Sequence, residues 1–185
     1  WRRLVGSEMC IRDRIKPLGV VLPKDTNDVL SLMEYSQKNS VPLLARGGGS
    51  SQCGQTVGES VVLDYSKHQN KILELNVEEK YVWVQPGVVL DHLNAYLKPH
   101  GLWFPVDVST SSRATIGGMS ANNSCGSRSL YYGNMVHNVL AIEAILDDGS
   151  IFNFDQINKN YLATKNNQDR LYKICLLYTS DAADD

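Results

Sequence analysis

The chain has 185 residues, of which 43% are hydrophobic, and its 18 basic and 20 acidic side chains give a formal net charge of −2. This length is compatible with one domain and a sizeable core, and the near balance of charge gives no electrostatic case for nucleic acid or an anionic membrane. The sequence also has no apolar run of the roughly 20 residues that a membrane-spanning helix needs.

The two ends of the chain are expected not to belong to the fold. Residues 4–14 resemble the translation of a sequencing-library adapter, and residues 175–185 resemble the opposite strand of the same adapter. Segments of foreign origin are excluded from fold analysis. The sequence therefore divides into an adapter-derived segment at 1–14, a domain at 15–174 taken from a longer protein, and a second adapter-derived segment at 175–185.

The domain begins with a β-α-β pattern. A strand at 19–22 precedes a helix, for which Asp25 or Thr26 is the expected N-cap. A strand at 42–45 follows, and this order implies a crossover between parallel strands. The expected buried face of the helix has the spacing i, i+3, i+4, i+7 and consists of Val29, Leu32, Met33 and Ser36.

Short strands and a second helix are predicted further along the chain. The strands lie at 61–63, 72–75 and 81–84; the helix has Val89, Leu93 and Tyr96 on one face and ends at Pro99. Residues 102–133 have no periodicity, and a long segment of this kind inside a domain is usually functional. Segments at 138–146 and 151–154, joined by a turn at 147–149, end the pattern.

The strand at 42–45 leads into a loop that contains three consecutive glycines, Gly47, Gly48 and Gly49, with Arg46 at its edge. Because glycine has no Cβ atom, the backbone can approach a ligand closely, and successive N–H groups form an anion-binding nest. The loop is not a P-loop, because Gln55 stands where that motif needs Lys. Nor is it a Rossmann fingerprint, because no helix follows the glycines. A glycine-rich hairpin without a ligand remains an alternative.

A second glycine-centred segment lies in the aperiodic region. Thr115 is expected to cap a short helix whose first N–H groups, at Ile116, Gly117 and Gly118, face an anion. By itself the abundance of Ser, Thr and Asn more often indicates a solvated loop. Two nests in one small domain, however, suit a ligand with two phosphates and a long body, such as a dinucleotide cofactor.

Cysteine and histidine offer no catalytic or metal site. Within 15–174 the cysteines are Cys53 and Cys125, whose spacing supports neither a disulfide framework nor a metal or iron–sulfur site, and a reducing, cytoplasmic compartment is expected. Both are interpreted as small packing residues. The histidines, which are His68, His92, His100 and His137, have no evident carboxylate partner or metal-ligand spacing. Only His137 is kept as a weak candidate near the cofactor.

Four segments, at 46–57, 84–88, 104–118 and 122–126, together resemble the FAD-binding domain of the FAD-linked oxidase family, which shares its fold with vanillyl-alcohol oxidase and p-cresol methylhydroxylase. The resemblance covers residues 16–154. It is closest to the branch of glycolate oxidase flavin subunits, D-lactate dehydrogenases and D-2-hydroxyglutarate dehydrogenases, especially the long members fused to an iron–sulfur domain. It implies an α+β (mixed α/β) fold of the PCMH type, in which a small β-α-β subdomain is followed by a second α+β subdomain with FAD between them.

The resemblance also implies which residues bind FAD. Beside Arg46, the pyrophosphate is assigned mainly to backbone N–H groups of Gly47, Gly48, Gly49, Ser50, Ser51 and Gln52. Pro86 and Gly87 border the adenosine half, and Ile142 meets the adenine. The flavin and ribityl region is assigned to Pro105, Ser109, Thr110, Thr115, Gly117 and Gly118, with Asn122, Ser124, Cys125 and Gly126 behind it.

Non-covalent FAD is the expected form of the cofactor. Members of the family that attach flavin covalently often carry His just after the glycines, where this chain has Ser50 and Ser51. Others carry Cys shortly before the later Gly-Gly pair, where residues 112–114 contain none. Val108 replaces a Pro of many relatives and is expected to loosen the turn without removing a ligand contact.

The function implied is oxidation of a D-2-hydroxy acid (glycolate, D-lactate or D-2-hydroxyglutarate) to the 2-oxo acid by hydride transfer to flavin N5. The catalytic groups are expected in a C-terminal substrate domain beyond residue 174, so the isolated chain is expected to be inactive. An iron–sulfur domain or subunit is expected as electron acceptor in the full-length protein. The protein is expected in the cytoplasm, or at the periphery of the inner membrane in its full-length form. Three alternatives remain: an aldonolactone or sugar-alcohol oxidase, a non-catalytic electron-transfer subunit that binds flavin, and an α/β domain without cofactor.

Overall fold

A three-stranded parallel sheet carries the glycine loop. In this computed structural model, which describes residues 15–52 and 54–154, the sheet contains β1 (Gly19–Val21), β2 (Leu43–Arg46) and β3 (Val61–Asp64). The strand order is β1-β3-β2, and both pairings are parallel. The predicted parallel direction of β1 and β2 is confirmed, but β3 lies between them. Val62 and Leu63 are each 3% exposed, as expected of a strand that is covered on both faces.

Residues 47–60 connect β2 to β3. Because these two strands are parallel, a two-stranded hairpin through the glycine loop is excluded. The loop instead leaves the carboxyl end of a parallel strand, which is where ligands bind in open α/β sheets.

The crossover from β1 to β2 is α1 (Thr26–Asn39). Asp25 is its N-cap, and the Asp25 carboxylate accepts a hydrogen bond from the N–H of Asp28 at 3.0 Å. Ser40, with φ of +54°, ends the helix. The predicted inward face is confirmed. Val29 is buried, and Leu32, Met33 and Ser36 are half-buried.

A second, antiparallel pair of strands consists of β4 (Ile72–Asn76) and β5 (Tyr81–Val84). Helix α2 (Leu90–Leu97) follows and buries Leu90, Leu93 and Leu97. The predicted face is wrong in part, because Val89 is the N-cap and Tyr96 is 46% exposed. The helix begins at Leu90, so its buried stripe follows from that residue at i, i+3 and i+7.

The segment at 102–133, in which no periodicity was expected, contains α3 (Ile116–Ala121) and α4 (Ser129–Tyr132), and α5 (Met135–Asn138) follows it. Val106, Met119 and Met135 pack with the first turn of α2 in one core cluster. This core fixes the loops of the segment in place. None of the helices in the described ranges is long and apolar enough to span a membrane.

Residues 140–146 and 151–154 belong to a separate unit. In this unit β6 (Ile142–Ile145) pairs antiparallel with β7 (Ile151–Phe154), as the predicted turn requires. Gly149 in the connection has φ of +82°. The two expected adapter-derived segments, and Cys53, lie outside the described residues.

Candidate functional site

An open cleft lies between the glycine loop and the segment around α3. One wall comes from residues 45–51, 55 and 56, and the other from residues between 108 and 124. The cleft encloses about 240 Å³, somewhat less than the roughly 300–1,000 Å³ of a typical small-molecule site. A cleft of this size accommodates one part of a dinucleotide rather than the whole molecule.

The first two glycines of the loop make room for the opposite wall. A Cβ atom on Gly47 would overlap the Thr115 side chain, and one on Gly48 would overlap the backbone carbonyl of Arg113. Their lack of a side chain therefore serves the packing of the chain on itself. The consequence is a loop whose backbone is held against α3 and its N-cap.

Four successive backbone N–H groups of the glycine loop have no hydrogen-bond acceptor in the described part of the chain. Among the described residues, the hydrogen bonds include none donated by the N–H groups of Gly47, Gly48, Gly49 or Ser50. The Arg46 guanidinium lies beside Gly49, which has φ of +64°, and Arg46 forms no ion pair in the described part of the chain. Consecutive free N–H groups next to a fixed positive charge fit an anion such as a pyrophosphate.

The N-terminus of α3 does not provide the predicted second nest. Thr115 caps the helix as expected, since its Oγ1 accepts from the N–H of Gly118 at 3.4 Å. The other two donors are already used, because the N–H of Ile116 donates to the Val88 carbonyl at 2.8 Å and that of Gly117 donates to the Pro86 carbonyl at 2.9 Å. The prediction that these three N–H groups face an anion is therefore wrong, and the first loop remains the predicted source of anion-binding donors.

Pro86 and Gly87 lie against α3 rather than in the lining of the cleft. A Cβ atom on Gly117 would come within 2.5 Å of the Pro86 Cβ, and one on Gly87 would overlap the Tyr65 carbonyl. The buried Gly87 donates its N–H to the Gln69 carbonyl at 2.7 Å. Their observed role is to hold α3, and their assignment to the adenosine half stays a prediction.

Asp107 ties the loop that precedes α3 to the start of α4. Its carboxylate accepts from the Ser127 hydroxyl at 2.7 Å and from the N–H of Arg128 at 3.0 Å. These two donors lower the pKa of the Asp107 carboxyl, with the Ser127 hydroxyl as the larger cause. Gly126 belongs to the same contact, because a Cβ atom there would overlap the Asp107 carbonyl.

More than half of the predicted cofactor residues meet in the cleft. Those that line it are Arg46, Gly47, Gly48, Gly49, Ser50, Ser51, Thr110, Thr115, Gly118, Asn122 and Ser124. The predicted residues outside the lining are Gln52, Pro86, Gly87, Pro105, Ser109, Gly117, Cys125, Gly126 and Ile142. Ile142 belongs to the separate unit and is 42% exposed.

Cys125 is exposed, so the interpretation of this residue as a packing residue is wrong. Gln55 and Thr56 also line the cleft, although sequence reasoning used Gln55 only to exclude a P-loop. Their position just beyond Gly54 was the signal that could have identified them. Val108 lies in the lining as well, and its turn is intact, because the Val108 carbonyl accepts from the N–H of Ser111 at 3.1 Å.

Histidine contributes nothing to the lining of the cleft. The Nδ1 atom of His137 accepts from the N–H of Asn134 at 3.1 Å and completes the capping box of α5, which accounts for that side chain. In the described ranges, no three His, Cys, Asp or Glu residues are grouped so that they could hold a metal ion.

Comparison with known proteins identifies FAD as the cofactor. Residues 17–155 match a family model described as "FAD binding domain". The chain is 41% identical to D-2-hydroxyglutarate dehydrogenase of Haemophilus influenzae over 145 residues, which are 77% of this chain and 14% of that protein. It is 40% identical to mitochondrial D-lactate dehydrogenase [cytochrome] of Kluyveromyces lactis over 140 residues, which are 74% of this chain and 24% of that protein. Both relatives belong to the branch that the sequence motifs resemble.

Solved structures confirm the fold. The chain superposes on alkyldihydroxyacetonephosphate synthase with a TM-score of 0.67 and 25% identity, over 77% of this chain and 26% of that one. The fold of 6-hydroxy-D-nicotine oxidase from Arthrobacter nicotinovorans is also similar, with a TM-score of 0.70 at 19% identity, over 80% of this chain and 33% of that one. The mixed α+β fold of the PCMH type is therefore as predicted. Because the family model matches well over half of the chain, the protein belongs to the FAD binding domain family.

Proposed function

We propose that this chain is the FAD-binding part of an oxidoreductase that converts a D-2-hydroxy acid to the corresponding 2-oxo acid. The single observation that carries the cofactor role is the row of four free N–H groups from Gly47 to Ser50 beside the Arg46 guanidinium. These groups would hold the pyrophosphate, whose two negative charges match an arginine together with several neutral donors.

The proposed substrate class is inferred from the names of the relatives. Those at 40–42% identity are named D-2-hydroxyglutarate dehydrogenase or D-lactate dehydrogenase, and a glycolate oxidase subunit of Bacillus subtilis is 36% identical. All three names refer to 2-hydroxy acids. When bound, FAD supplies the hydride acceptor for such an oxidation, and the protein orients it.

The chain spans between 14% and 29% of the length of the relatives named here. The groups that bind the substrate carboxylate and remove the hydroxyl proton are therefore proposed to lie outside the described residues. An iron–sulfur domain or subunit is proposed as electron acceptor, since a match to 14% of a relative leaves room for further domains. A cytoplasmic location is proposed from the cysteine content of the sequence.

We propose that FAD is held without a covalent bond. No side chain that the structure describes in the cleft lining is His or Cys, and the position after the glycines is occupied by Ser50 and Ser51. The Ser50 hydroxyl accepts from the Thr110 hydroxyl at 3.5 Å, across the cleft.

The cofactor is tested on the 185-residue chain with added FAD. After desalting, a visible spectrum should show retained flavin, and acid precipitation should release the colour into the supernatant. Colour in the pellet would contradict non-covalent binding. A folded chain that remains colourless would contradict the cofactor assignment itself.

A chimera tests whether the chain can act as the FAD-binding part of a 2-hydroxy-acid oxidoreductase. Residues 17–155 would replace the matching segment of the Haemophilus influenzae relative, which supplies the rest of an enzyme. Bleaching of the flavin band by D-2-hydroxyglutarate, D-lactate or glycolate, but not by the L-enantiomers of the first two, supports the proposal. A chimera that binds FAD and is reduced by dithionite but by none of these acids would overturn it.

A further inference from the structure

The side chain of Gln55 bridges the two walls of the cleft. Its Nε2 donates to Asn122 Oδ1 at 3.2 Å, although 67 positions separate the two residues along the chain. Both residues line the cleft that contains the free N–H groups of the glycine loop. Elsewhere in the cleft, the Thr110 hydroxyl meets the Ser50 hydroxyl at 3.5 Å.

The two kinds of contact between the walls differ in rigidity. At Gly47 and Gly48 the walls touch through tightly packed atoms that leave no space for a Cβ. At Gln55 they are joined by one hydrogen bond between two exposed side chains. The Gln55–Asn122 pair can therefore change without disturbing the packed contact, which makes it suited to adjusting the wall around a ligand.

The chemistry of the Gln55 amide suits a diester phosphate. A glutamine NH₂ group carries two donors, and Asn122 uses one of them. Arg46 is the one charged side chain among the described residues that line the cleft. A neutral donor in place of a lysine ammonium leaves the site with too little positive charge for a triphosphate, whereas a dinucleotide pyrophosphate carries only two negative charges.

We propose that Gln55 is a positioning residue for the FAD pyrophosphate. It joins Asn122 across the cleft and turns its second N–H toward the phosphate oxygens. Its neutral amide also favours a dinucleotide over a nucleoside triphosphate. This inference rests on the proposed function, because it requires that the cleft binds FAD.

The test is a titration of the 185-residue chain with FAD at low and high salt. The variants are Gln55→Ala, Gln55→Glu, Asn122→Ala and the Gln55→Ala/Asn122→Ala pair. A further variant, Gln55→Lys, is titrated with both FAD and ATP beside the wild type. Gln37→Glu is the matched control, because Gln37 is also exposed but lies on α1, where its amide donates to a backbone carbonyl outside the cleft. The melting temperature of each variant without ligand is measured in parallel.

Loss of the Gln55 amide is expected to weaken FAD binding about fivefold, as the loss of one hydrogen bond does. The double variant should be no worse than Gln55→Ala alone, because both single changes remove the same bond. Gln55→Glu should cost more, and the extra cost should shrink at high salt because it arises from charge repulsion. Gln55→Lys should raise the affinity for ATP relative to FAD. Without ligand, all variants should have the same melting temperature as the control.

Failure of the proposed function and failure of this inference give different results. If the wild-type chain folds but binds no FAD, the proposed function is wrong and the inference falls with it. If the wild-type chain binds FAD and the Gln55 variants behave like Gln37→Glu, the inference alone is wrong. A lower melting temperature of the ligand-free Gln55→Ala chain, with a salt-independent effect of Gln55→Glu, would show a merely structural residue and would also overturn it.

Discussion

The Thr115 hydroxyl occupies the space in which a Cβ atom of Gly47 would stand. Thr115 is 2% exposed, and its Oγ1 caps α3 through the N–H of Gly118. One hydroxyl therefore limits the size of the first loop residue and also caps the N-terminus of the helix on the opposite wall. Because of this contact, a change on either side is expected to alter the shape of the cleft.

Replacement of Gly47 by Ala is expected to destabilise the chain by about 1–3 kcal/mol, the usual cost of adding a methyl group to a packed site. The new Cβ must displace the Thr115 side chain or the loop backbone. Gly19→Ala is the matched control, since a Cβ atom at Gly19 would have nothing within 4 Å. Urea unfolding of both variants checks the difference; equal midpoints would contradict the packing described above.

Replacement of Thr115 by Ala should remove the N-cap of α3 and cost about 1 kcal/mol, as the loss of other helix caps does. Thr115→Ser keeps the hydroxyl and should retain most of this stability. Thermal unfolding followed by circular dichroism compares the two variants. If Ser and Ala prove equally destabilising, the Thr115 methyl group rather than its cap accounts for the loss.

Local sequence patterns predicted the elements that depend on near neighbours. The α1 cap at Asp25 and the glycine loop after β2 follow from residue types within a few positions of each other. The position of β3 between β1 and β2 does not, because strand order depends on pairing between distant segments. The helix face at Tyr96 was wrong for a smaller reason, a start that is one residue later than Val89.

The predicted anion-binding role of α3 was wrong because a sequence does not show which N–H groups already donate hydrogen bonds within the protein. The acceptors at Val88 and Pro86 lie about thirty positions before the helix and reach it only through the fold. The anion-binding role of the first loop stays a prediction, with which the structure is compatible. The N–H groups of Gly47 to Ser50 have no acceptor among the described residues, and Gly47 and Gly48 hold the loop against the other wall.

Replacement of Arg46 by Gln is expected to weaken FAD binding roughly tenfold or more, since a hydrogen bond to a charged group contributes about 1.5–3 kcal/mol. The guanidinium lies beside Gly49, next to the free N–H groups, and has no carboxylate partner in the described ranges. Lys98→Gln, an equal charge change at an exposed residue outside the cleft, is the control. Fluorescence titration should show a loss for Arg46→Gln that decreases with salt. An equal effect of Lys98→Gln would mean that net charge alone is responsible.

Replacement of Asp107 by Asn should remove part of the acid sensitivity of the chain. Hydrogen bonds from Ser127 and the Arg128 N–H lower the pKa of the folded carboxyl below its usual 3.8. The stabilisation is therefore complete above that value and is lost as the pH falls through the lowered pKa. At pH 7 the variant should be less stable than the wild type, and the difference should shrink toward pH 3. Glu78→Gln, at an exposed turn, controls for general acid effects. Melting temperatures between pH 3 and 7 provide the measurement, and a gap between Asp107→Asn and the wild type that stays constant across this range would rule out the carboxylate as its source.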